Sequence, residues 1–66
     1  MERTETVNGL KVTAKPWTKY GKQRLYFSVE GNRGQACWDL TNNQWVKVHG
    51  EVGSRFKVAI KEVFGL

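Results

Sequence analysis

From Leu10 to His49 apolar and polar residues alternate in short runs bounded by Gly and Asn, and this period of two is what most narrows the folds open to the chain. Leu10, Val12 and Ala14 alternate with Lys11, Thr13 and Lys15. Leu25, Phe27 and Val29 alternate with Arg24, Tyr26 and Ser28. Ala36, Trp38 and Leu40 follow, interleaved with Gln35, Cys37, Asp39 and Thr41, and then Val46 and Val48 between Trp45, Lys47 and His49. Each run reads as a strand with one apolar face. Turn chemistry separates them at Pro16 to Gly21, Gly31 to Gly34, Asn42-Asn43 and His49 to Ser54. Such short connections pair neighbouring strands antiparallel. An Asn8-Gly9 turn could add a hairpin over Thr4 to Val7, but those residues are weak strand formers and the point stays open.

The period changes at Ser54. On a helical wheel Phe56, Ala59, Ile60, Val63 and Phe64 share one arc, Arg55, Lys57, Lys61 and Glu62 the opposite one, and only Val58 is misplaced. With Ser54 as N-cap and Gly65 as stop, Ser54 to Leu66 reads as a helix of about three turns that buries Phe56, Ile60 and Val63. Phe56, Val58 and Ile60 also alternate, which keeps a strand in play. The expected fold class is therefore α+β, a four-stranded antiparallel sheet with one C-terminal helix packed on one face. The alternative is a small all-β barrel of SH3 or OB type.

The chain's 66 residues bound a single small binding domain over 1–66, since a chain this short hides only about 60% of its unfolded surface. A core that small is marginal, so a monomer or a homodimer is expected. Eleven Lys and Arg against six Asp and Glu give a net charge of +5, which favours polyanionic partners, nucleic acid first. The single cysteine, Cys37, forms no internal disulfide, which fits a reducing, cytoplasmic setting. No apolar run approaches the roughly 20 residues of a membrane span, and the polar start MERTETVNG lacks the apolar stretch of a signal peptide. No membrane partner is expected.

Because strand side chains alternate, assigning the core also assigns the outer face. A Gly31–Gly34 loop pairs Val29 with Ala36, Phe27 with Trp38 and Leu25 with Leu40, placing Tyr26 opposite Asp39 and Arg24 opposite Thr41. An odd Thr41-Asn42-Asn43 loop keeps Trp38 and Val46 inside and turns Trp45 outward; a two-residue Asn-Asn turn would bring Trp45 into the core instead. With the odd loop, the outer face collects Lys11, Lys15 and Trp17, then Lys22, Arg24 and Tyr26, then Trp45, Lys47 and His49, with Tyr20 and Arg33 extending the track from flanking loops.

Interleaved cations and flat rings suit single-stranded or deformed nucleic acid, with bases on the rings and phosphates on the cations, and with low sequence specificity because few Asn or Gln are placed to read base edges. The alternative function is a small protein-interaction module, adaptor or inhibitor, using the same aromatic face as a hot spot. The plain reading is a solvated sheet face, since Tyr, Trp and Thr are ordinary strand residues.

Catalysis is not expected. Cys37 and His49 fall on one face, yet no third orienting group or oxyanion loop accompanies them. One Cys and one His cannot supply the four ligands of structural zinc, and the glycines match no phosphate-loop spacing, so neither a metal nor another cofactor is expected. In element order alone, strands then a helix, the chain resembles single-strand-binding transcription coactivators, and basic three-stranded sheets occur in integrase arm-binding domains. That likeness is one of layout without a shared motif.

Overall fold

A computed structural model describes residues 2–66. Five strands, β1 (Arg3–Val7), β2 (Leu10–Lys19), β3 (Lys22–Val29), β4 (Gln35–Asp39) and β5 (Gln44–Val46), precede one helix, α1 (Ser54–Phe64). The strands lie in chain order in one antiparallel sheet. This is the expected α+β class with one strand more than expected. The extra strand is β1, made possible by Asn8-Gly9, whose φ values of 50° and 81° form the tight turn between Val7 and Leu10. The sheet is open, with β1 and β5 as its edges, so the barrel alternative does not hold.

Pro16 does not end the first long strand, as its turn-like neighbourhood implied. It pairs with Leu25 two rungs beyond Ala14, where β1 stops, and β2 continues to Lys19. Counting back from the tight turn at Tyr20-Gly21, Pro16 falls in a pair without hydrogen bonds to β3, so its missing N–H costs the β2–β3 ladder nothing.

The β3–β4 register differs from expectation by two residues. A 3-10 turn over Glu30–Asn32, with Gly31 and Asn32 at φ of 68° and 55°, starts the loop one residue early, and Val29 N–H closes it on Gly34 O. Phe27 therefore faces Ala36, Leu25 faces Trp38 and Arg24 faces Asp39, and Leu40, just past the end of β4, still donates its N–H to Gln23 O with its side chain exposed. A slip of two preserves every side chain's face.

The next loop does not preserve it. Asp39 Oδ1 accepts from the N–H groups of Thr41 and Asn42, Asp39 Oδ2 from Asn42 Nδ2, and Asn43 turns back at φ 52°. The result is a four-residue, even loop that sets Trp45 across from Trp38 and sends Val46 to the outer face. Trp45 is thus an inward residue, packed edge-to-face on Trp38 at 5.0 Å and on Phe27 at 6.0 Å between centroids. Burying an indole outweighs burying a valine, which decides the parity.

Val7, Val12, Ala14, Phe27, Val29, Ala36, Trp38, Ile60 and Phe64 form the core between sheet and helix. The helix is turned relative to the expected arc. Ile60 and Phe64 are buried, Phe56 is half-buried, and Val63 is 39% exposed rather than buried. Two inward indoles explain the turn: Lys61 and Lys57 lie over Trp38 and Trp45, with Nζ at 5.0 and 5.9 Å from the ring centroids, so lysine stems cover apolar area that valine would otherwise reach. Ser54 is the first helical residue; Gly53 precedes it as N-cap with no side-chain bond. Gly65 stops the helix at φ 70°, and Leu66 N–H bonds back to Lys61 O.

Candidate nucleic-acid interface

The helix covers one face of the sheet, so the other is where the cations and rings of β2 and β3 meet solvent. Three rungs organise it: Trp17 beside Arg24 beside Asp39; Lys15 beside Tyr26 beside Cys37 beside Val46; and Thr13 beside Ser28 beside Gln35. Trp17 and Tyr26 are diagonal neighbours and pack edge-to-face, centroids 5.7 Å apart at 82°. The Arg24 guanidinium lies 5.7 Å from the Trp17 centroid. All three are half-buried, which makes a fixed platform rather than free-swinging side chains.

Beneath this platform Cys37 is fully buried, and burial pushes its thiol pKa up, opposed in part by the Tyr26 side chain and the Arg24 charge. A neutral thiol is a poor nucleophile. Asp39 shows the opposite shift: its hydrogen bond from Asn42 comes first in holding its pKa below the ordinary carboxylate value, followed by the backbone N–H groups of Thr41 and Asn42 and the Arg24 charge, against the effect of burial. Its oxygens serve the β4–β5 loop, and among the described residues no ion pair joins it to Arg24.

The distribution of charge is more telling than its total. The β2–β3 hairpin, Leu10 to Val29, carries Lys11, Lys15, Lys19, Lys22 and Arg24 and not one Asp or Glu. The other six of the eleven cations are matched in number by all six carboxylates, so the whole net charge of +5 resides on this hairpin. Lys19 and Lys22 stand directly opposite each other, a like-charge pair that costs free energy in isolation. Among the described residues, ion pairs form only at Arg3–Glu5, 2.7 Å, and Lys57–Glu51, 3.3 Å, and neither uses a residue of the hairpin.

Of the expected site residues, Lys11, Lys15, Trp17, Lys22, Arg24 and Tyr26 share the outer face of this hairpin, and Tyr20 sits at its tip, 88% exposed. Trp45 does not join them, for the reason given above. Lys47 and His49 are exposed but follow β5 in the connection to α1, where the His49 carbonyl accepts from Gln35 Nε2, and Arg33 is exposed in the β3–β4 loop. Lys19 was missed by the reading of the sequence. Its signal is the continued alternation Lys15, Trp17, Lys19, hidden by taking Pro16 as a strand end.

At the far end of the same face, Ser28, Asn32, Gln35, His49 and Gly50 line a shallow depression of about 240 Å3. Among the described residues no three His, Cys, Asp or Glu side chains gather as a metal site, and no helix is long and apolar enough to cross a membrane. Comparisons with protein families, with curated proteins and with solved structures find no match to this chain.

Proposed function

We propose that this protein binds nucleic acid, single-stranded in preference to duplex, on the outer face of its β2–β3 hairpin. The observation that carries the reading is the placement of the entire net charge on that hairpin, around the Trp17–Tyr26 ring pair and with no carboxylate on its own two strands. Lys15, Lys19, Lys22 and Arg24 neutralise phosphates, and a base stacks on Trp17 or Tyr26. Each stacked base contributes about 1 to 3 kcal/mol. The uncompensated Lys19–Lys22 pair is relieved by the same phosphates. Sequence selectivity is low, because the face offers rings and charges rather than paired donors and acceptors for base edges.

A fluorescence anisotropy titration with labelled single-stranded and duplex DNA and RNA, at two salt concentrations, tests this. Single strands bind more tightly, and affinity falls steeply with salt, the logarithmic slope changing by about 0.7 for each phosphate contact removed. Absence of binding at low salt sinks the reading and turns attention to the aromatic face as a protein-contact surface, whose affinity depends less on salt.

A further inference from the structure

Two hairpin turns of this chain share a backbone and differ in side chain. Asn8-Gly9, between paired Val7 and Leu10, has φ values of 50° and 81°; Tyr20-Gly21, between paired Lys19 and Lys22, has 53° and 73°. Both are two-residue turns with both central residues left-handed, and the favoured first residue is Asn, the one used at position 8. A bulky ring at such a φ is a steric outlier. No burial offsets it: Tyr20 is 88% exposed, and the cation over its ring is Lys19, Nζ 5.2 Å from the centroid. The hairpin therefore holds an aromatic ring in solvent, in a backbone conformation that suits Asn better, between two facing lysines and away from any carboxylate of its own strands.

A flat apolar ring bracketed by paired positive charge matches the chemistry of a nucleotide, a planar base next to a phosphate. We propose that Tyr20 is a tip contact whose ring stacks on an unpaired nucleobase while Lys19 and Lys22 hold the adjoining phosphates. This rests on the nucleic-acid reading above and extends it from the sheet face to the end of the hairpin. It separates two quantities that move together at ordinary sites: the substitution that weakens binding strengthens the fold.

The test uses Tyr20→Asn and Tyr20→Trp in the full chain, with thermal unfolding and anisotropy titration against a fluorescein-labelled single-stranded thymidine oligomer. Tyr20→Asn is expected to melt higher and to bind roughly five- to a hundredfold more weakly with an unchanged salt slope, and Tyr20→Trp to bind at least as tightly as the wild type. Wild-type affinity in Tyr20→Asn overturns the tip contact, and so does a lower melting temperature, which would show the ring to be part of the fold. If Trp17→Ala and Lys22→Ala weaken binding while Tyr20→Asn does not, the tip proposal alone falls. If the wild type does not bind the oligomer at low salt, the nucleic-acid reading falls and takes this proposal with it.

Discussion

Trp17 and Trp45 are the same residue type on opposite faces of one sheet, and replacing each by alanine should separate folding from binding. Trp45 packs on Phe27 and Trp38 and lies under Lys57, yet it is only half-buried. Truncating a buried aromatic costs about 3 to 5 kcal/mol, so a half-buried one should cost about 2 to 3 kcal/mol. A chain of 66 residues has a total stability of about 3 to 10 kcal/mol, so this is a large share of it. With a urea slope near 1 kcal/mol per molar for a domain this small, the unfolding midpoint of Trp45→Ala should fall by about 2 to 3 M. Trp17→Ala loses an edge-to-face pair with Tyr26 and a cation–π contact with Arg24, together about 1 to 2.5 kcal/mol. It should keep most of its stability and lose about 1 to 3 kcal/mol of affinity for a single strand. Urea melts followed by circular dichroism and anisotropy titrations at a temperature where both variants are folded give the two readouts. A folded Trp45→Ala that binds weakly beside a Trp17→Ala that binds normally would falsify the assignment of faces.

Three further outcomes follow from other parts of the molecule. Gly34→Ala places a Cβ 2.5 Å from Val52 Cγ1 and 3.2 Å from Gly50 O at φ 138°, so it should cost at least about 1 to 3 kcal/mol and free the amides of Gln35 and Val52 to exchange with deuterium. Asp39 has a lowered folded pKa, so its stabilisation is complete above its unfolded value and is lost as pH falls through the folded one. Acid melts should decline below about pH 4, and Asp39→Asn should flatten that decline; an unchanged acid limb would assign it to other carboxylates. Lys22→Ala and Lys15→Ala should each lower the salt slope of single-strand binding by about 0.7 and leave base preference alone, whereas slopes equal to wild type would place the phosphates elsewhere.

The face of each β2 and β3 residue was legible because alternation fixes parity without fixing register. That is why Lys15, Trp17, Arg24 and Tyr26 lie together as expected even though the β3–β4 pairing moved by two. Parity across a loop is a different matter. Whether Asn42-Asn43 closes an odd or an even turn depends on the packing of Trp45 against Trp38 across the sheet, with Asp39 capping Thr41 and Asn42 locally, and the identity of the loop residues alone leaves that choice open. Trp45 moved inward with that choice, and the helix then turned to lay Lys57 and Lys61 over the indoles, so the exposure of Val63 traces to a loop twenty residues earlier. The tip at Tyr20-Gly21 was hidden for another reason: Tyr is a poor guide to a left-handed turn, and Pro16 drew the boundary too early.

The meander order has a consequence for how the chain acquires this shape during synthesis. Strands added one after another can zip onto their predecessors through short loops, so pairing demands few distant encounters. The apolar side of that growing ribbon, however, has no cover until α1, which follows all five strands, has been made and can reach back to β1, where Phe64 meets Arg3. Until α1 has docked, the chain therefore displays a greasy ribbon with an unpaired edge, the state in which association with a second copy or with a chaperone competes with folding. Ile60 and Phe64, near the end of the helix, are the residues that close that window.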